Sequence, residues 1–136
     1  MDIRLFDKNK DYDTLCQWWD DWDQPVHLPE ALSDTGIIIS KEGVDICMSF
    51  IYSTDSYICW MEFLVMNKRT TREQRKGVLQ KMFETLLEKS KVMGFKIVMT
   101  FGTEEQSRKA PVLTKLKKEF FDITTKDMIQ YYKIIN

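Results

Sequence analysis

The stretch KRTTREQRKGVLQKMF, residues 68–83, decides the fold. A single glycine, Gly77, sits inside a charged run and can be read in two ways. In one, Gly77 marks a turn, and a helix starts just after it. The first N–H groups of that helix lack intrahelical partners and suit an anion. In the other, Thr70-Thr71-Arg72-Glu73 is a capping box, with Thr70 as N-cap and Glu73 three residues on. The helix then runs through Gly77, which costs about 1 kcal/mol relative to Ala and binds nothing. Both readings share the helix beyond Gly77. Val78, Leu79, Met82, Phe83, Leu86 and Leu87 form one apolar stripe, and Gly94 suits the C-terminal cap.

Upstream, IRLF reads as a first strand. KDYDTLCQWWDDW reads as a helix, with Tyr12, Leu15, Trp18, Trp19 and Trp22 at helical spacing. LPEALS allows a short helix opened by Pro29. TGIIIS, VDICMSFIYS and YICWMEFLVM read as three strands. The last is apolar on both faces apart from Glu62, which suits an interior place in a covered sheet. Downstream, FKIVMTF is a strand, APVLTKLKKEFF a helix starting near Pro111, and FDITT with MIQYYKII a closing hairpin. A strand, a helix and a strand over 57–101 predict one right-handed parallel crossover in an otherwise antiparallel sheet. The class is α+β, or mixed α/β. The sheet is twisted, with six to seven strands, and three to four helices flank it. Residues 1–136 read as a single domain without repeats or linkers.

Composition excludes several functions. Charged residues make up 30% and nearly cancel to a net charge of −1, so no bulk affinity for nucleic acid or membrane is implied. The Lys-rich KLKKEFF offers only three lysines, on a helix that also needs an apolar face. No apolar run approaches the roughly 18 residues of a membrane span, and MDIRLFDKNK has no apolar signal stretch, so cytoplasmic residence is the default. Cys16, Cys47 and Cys59 cannot all pair and lack C-x-x-C spacing. No metal site is expected. The one histidine, His27, lies between Pro25 and Pro29 in a loop.

A long apolar strand, a basic loop, a Q-x-x-G turn and a helix resemble the core of the GNAT-type N-acetyltransferases. Gln74, Arg75, Lys76, Gly77, Val78 and Leu79 stand where that family has [Q/R]-x-x-G-x-[G/A]. The resemblance implies acetyl-CoA as co-substrate, its pyrophosphate on the helix start, with Lys68, Arg69, Arg72, Arg75 and Lys76 adding charge. It also implies a splayed strand end, at Leu64, Val65 and Met66, that pairs with the pantetheine arm. A backbone N–H near Val65 would polarise the thioester carbonyl. Two positions depart from the family pattern. Leu79 replaces a small residue, and Thr114 falls where many relatives carry a general-acid tyrosine. Tyr132 or Tyr131, on opposite faces of the last strand, are candidates to replace it.

Acetyl transfer to an amine needs a base, a polarised carbonyl and a protonated leaving thiolate. Glu62 is the candidate base, because burial on that strand would raise its pKa. The alternative is a Glu that meets solvent or a Lys. Cys59 and Cys47 fit core cysteines better than nucleophiles. Asp11, Asp13, Asp20, Asp21 and Asp23, beside three Trp, allow two readings: an acidic, aromatic wall for a cationic acceptor, or a plain amphipathic helix. The expected function is transfer of an acetyl group to a primary amine on a small molecule or protein, by a monomer or homodimer. The alternative is a non-catalytic binding or virion protein of the same fold, as in some bacteriophages.

Overall fold

The structure, a computed structural model, describes residues 1–101 and 111–120. The chain falls into two compact units, Met1–Met99 and Thr100–Asn136. The first unit holds a sheet of five strands in the order β1-β2-β3-β4-β5. These are β1 (Asp2–Leu5), β2 (Thr35–Lys41), β3 (Val44–Ser53), β4 (Ile58–Met66) and β5 (Ile97–Met99). The first four pair antiparallel in chain order, and β5 joins β4 in parallel. The predicted crossover is therefore present, and β4 is interior. The described strands number five rather than six to seven. The FDITT/MIQYYKII hairpin, with Tyr131 and Tyr132, lies outside the described residues.

Helix α1 (Lys8–Asp21) covers one face of the sheet. Leu15, Trp18 and Trp19 from α1 join Phe6, Leu32, Ile38, Met48, Phe50 and Val65 in a single core cluster. Trp22, just past the helix, stays 41% exposed, so two of the three tryptophans are core. Strand alternation turns Ile37, Ile39, Cys47 and Ile51 to the other face. There α3 (Val78–Val92) packs on β2 and β3. The stripe seen in the sequence supplies Val78, Met82, Phe83 and Leu86, all fully buried.

Two local devices fix this frame. A Cβ on Gly36 would fall 2.6 Å from both Phe50 Cε1 and Phe6 Cβ, so only glycine lets β2 approach that aromatic pair. Arg4 of β1 grips Asp11 of α1 with two bonds of 2.9 Å and Asp45 of β3 with a third of 2.9 Å. Asp11 is buried and also accepts the Asp7 N–H at 2.8 Å. The Arg4 bonds hold its carboxyl below the usual carboxylate range, against the burial that would raise it. One more turn of helix, α2 (Arg72–Arg75), precedes α3. In the second unit, α4 (Pro111–Phe120) begins at the predicted proline and carries Thr114.

Candidate functional site

The backbone at Gly77 is that of a turn, not of a continuous helix. A capping box does exist, but one residue later than predicted. Thr71 N–H donates to Gln74 Oε1 at 2.8 Å, and Gln74 N–H donates to Thr71 Oγ1 at 3.2 Å. Thr70 is not the cap because it is buried and its hydroxyl donates to the Asn67 carbonyl at 2.6 Å. The box closes only α2. The chain then leaves helical geometry at Lys76, and Gly77 is left-handed, at φ 76° and ψ −4°. Helix α3 starts at Val78 with no side-chain cap. Its first bond runs from Lys81 N–H to the Gly77 carbonyl at 3.1 Å. By helix geometry the N–H groups of Val78, Leu79 and Gln80 have no intrahelical acceptor. They carry the positive end of a 15-residue dipole.

Lys41, at the end of β2, was not among the residues singled out from sequence. Its Nζ donates to the carbonyls of Lys76 at 3.0 Å and Glu73 at 3.4 Å, tying down the turn before Gly77. Nothing in the sequence links a strand end to a turn 35 residues away. The five basic residues of the loop split into two groups. Lys68 and Arg69 are committed to the end of α1: Lys68 Nζ donates to the Asp21 carbonyl at 3.0 Å, and Arg69 pairs with the Asp21 carboxylate at 3.1 Å. Among the described residues no salt bridge engages Arg72, Arg75 or Lys76. The charge open to an anion at Gly77 is theirs.

Strand β4 carries the second feature. Met48 pairs with Val65 and Phe50 with Glu62, so Ser49 faces two residues, Phe63 and Leu64. This is a β-bulge, and its first residue, Phe63, is left-handed at φ 55°. A phenylalanine there costs about 1 kcal/mol or more. Aromatic packing holds it in place. Ring centroids of His27, Trp19, Tyr52 and Phe50 lie 4.6, 5.7, 5.9 and 6.5 Å from that of Phe63. The Ser49 hydroxyl donates to the Glu62 carbonyl at 3.1 Å on the β3 side.

The extra residue changes which backbone groups face β5. Before the bulge, the Tyr57 carbonyl accepts from Lys96 and Ile97, so odd-numbered residues face β5. After it, Asn67 N–H donates to the Ile46 carbonyl at 2.7 Å, so Asn67 and Val65 face β3. Leu64 and Met66 then face the β5 side. The β4–β5 register spans only Ile58–Trp60 with Ile97–Met99, while β4 runs on to Met66. Of the three strand residues expected at a splay, alternation turns Leu64 and Met66 to the β5 side, where none of the described residues of β5 pairs with them, and Val65 to β3. The start of α3 lies at the same end of the sheet as Met66, with its Gly77 turn held by Lys41 at the end of β2.

Glu62 is half-buried, in register with Phe50, and so on the α1 face. Tyr52, two residues from Phe50, shares that face. Burial, with the Glu62 charge adding to it, pushes the Tyr52 phenol up. Its hydroxyl donates to the Ala31 carbonyl at 2.7 Å. Of the two readings of α1, the plain amphipathic helix gains. Asp11 and Asp21 are paired with arginines, while Asp13, Asp20 and Asp23 are exposed. His27 meets Trp19 in a T-shaped contact and Phe63 in a tilted one. Among the described residues no group of His, Cys, Asp or Glu could hold a metal, and no helix is long and apolar enough to cross a membrane.

No protein-family model and no curated protein matches the chain. Solved structures do match. An aminoglycoside acetyltransferase from an uncultured soil metagenomic sample, in complex with sisomicin, has a TM-score of 0.71 at 12% identity, over 99% of this chain and 96% of that one. The aminoglycoside N-acetyltransferase AAC(6')-Iy, in complex with the bisubstrate analog CoA-S-monomethyl-acetylneamine, has a TM-score of 0.67 at 17% identity, over 98% of each chain. A possible acetyltransferase from Clostridium difficile 630 has a TM-score of 0.64 at 13% identity, again over 98% of each. Nothing in these matches supports the likeness to phage virion proteins. At such identities the likeness concerns the fold alone: a mixed α+β fold shared with these acetyltransferase structures.

Proposed function

We propose that the chain is an acyltransferase that moves an acetyl group from acetyl-CoA to a primary amine. One observation carries this reading: among the described residues the β5-side edge of β4 at Leu64 is unpaired, and at the same end of the sheet an uncapped helix starts after left-handed Gly77. That pairing suits a ligand with an extended amide arm and a pyrophosphate. The α3 N–H groups, with Arg72, Arg75 and Lys76, would hold the anion. Gln74, whose side chain closes the capping box, would shape the turn and leave the phosphates to its neighbours. Val78 is fully buried, while Leu79, where the family has a small residue, is half-buried.

When bound, the coenzyme supplies an activated thioester. The rest falls to this chain. Glu62, directly or through a water, takes a proton from the acceptor amine. The Leu64 N–H, on the open side, donates to the carbonyl where negative charge grows. The amine nitrogen bonds to the acyl carbon, the carbon–sulfur bond breaks, and the thiolate takes a proton. Tyr132 remains a proposed donor of that proton. Cytoplasmic residence belongs to the same proposal, and three cysteines without a disulfide suit a reducing compartment.

The alternative, a binding protein without turnover, draws on Leu79, on Thr114 in place of a tyrosine and on a helix running through Gly77; the left-handed turn at Gly77 speaks against the last of these. Amine-dependent release of free thiol from acetyl-CoA tests the proposal. Across a panel of polyamines, aminoglycosides and lysine peptides, at least one acceptor is expected to release thiol. Tight coenzyme binding with no release from any amine would favour the alternative.

A further inference from the structure

Trp22 is exposed over 41% of its surface, yet its indole is engaged on two sides. Its Nε1–H donates to the Met66 carbonyl at 2.8 Å. The Lys68 ammonium lies 4.9 Å from its ring centroid and donates to the Asp21 carbonyl. Arg69 and Gln17 both donate to Asp21 Oδ1, at 3.1 and 2.9 Å, and hold that carboxyl below its usual range. Together they tie the end of α1 to Met66, Lys68 and Arg69. The Met66 carbonyl belongs to the β5-side edge of β4, where nothing among the described residues pairs with Leu64.

We propose that Trp22 is a positioning residue for the arm of a ligand lying along that edge. Its indole takes up the last carbonyl of β4 and so fixes the end of the strand. With the Leu64 N–H given to the thioester carbonyl, the ladder left to the arm is the Leu64 C=O and the Met66 N–H. A ligand with two spaced amides meets an edge that is already ordered, and the ordering cost is removed from binding. The inference rests on the coenzyme reading, with the pantetheine arm as the ligand. The N–H is the feature that matters, because any large ring could fill the space beside Lys68.

Trp22→Phe in the full chain keeps a ring and removes the N–H. Two ligands are titrated by calorimetry: coenzyme A, and its phosphoadenosine diphosphate half, which lacks the pantetheine arm. The expected result is coenzyme A binding weakened about five-fold, the worth of one net hydrogen bond, with the half-ligand unchanged. Lys68→Met leaves the indole bond in place and should preserve the ratio of the two affinities. Equal losses for both ligands in Trp22→Phe, no loss for coenzyme A, or the same ratio change in Lys68→Met would each overturn the proposal. If the unaltered chain binds neither ligand, the coenzyme reading itself has failed, and the positioning role falls with it.

Discussion

Glu62→Gln is expected to lower kcat by about 10²–10⁴-fold while leaving acetyl-CoA binding unchanged. Gln matches Glu in size and in most of its hydrogen bonds, but it cannot accept the amine proton. Position singles Glu62 out. It is half-buried on the interior strand, in register with Phe50, and it is the residue before left-handed Phe63. That places it where the strand changes which edge its backbone serves, next to the Leu64 N–H proposed to polarise the carbonyl. Its charge already reaches Tyr52 across the same face. The variant should keep its fold and lose most of its rate. An unchanged kcat and pH profile would remove Glu62 from the base role.

Trp19→Ala should cost about 3–5 kcal/mol, a large part of the stability of a domain this size. Trp19 is 2% exposed and sits among the largest fully packed side chains. It joins α1 to the sheet and makes T-shaped contacts with Phe63 and His27, at 5.7 and 5.2 Å between ring centroids. Removing it opens a cavity and frees a strained residue at once. The strain at Phe63 would then be relieved by straightening β4, which would move Leu64 out of the open edge. Urea denaturation measures the first effect, and coenzyme titration of the surviving folded fraction measures the second. A midpoint shift worth less than about 1 kcal/mol would show that the aromatic cluster does not hold the bulge.

The sequence carried the frame well because its strongest signals are periodic. The α3 stripe, the apolar β4 run and the Trp spacing of α1 each became the element predicted. The capping box was misplaced by one residue because Thr70 and Thr71 offer T-x-x-E and T-x-x-Q in adjacent frames. The choice fell to the Asn67 carbonyl, which takes the Thr70 hydroxyl. The bulge gave no signal, since its left-handed residue is Phe rather than Gly or Asn, and four rings distant in sequence stabilise it. Sorting Leu64, Val65 and Met66 by edge depends on that bulge, so it was illegible too. Lys41 on the Gly77 turn and Trp22 on Met66 are tertiary contacts that no local pattern encodes. The basic loop read as one patch because charge spacing does not reveal which residues Asp21 claims.

The central claim is that the turn at Gly77 and the edge of β4 form one coenzyme site. Calorimetric titration of acetyl-CoA into the full chain, repeated over a salt series, tests it most directly. Binding in the micromolar range that weakens as salt rises is the predicted result, because Arg72, Arg75, Lys76 and the α3 dipole act on a charged pyrophosphate. No heat of binding at millimolar coenzyme, at any salt, would contradict it.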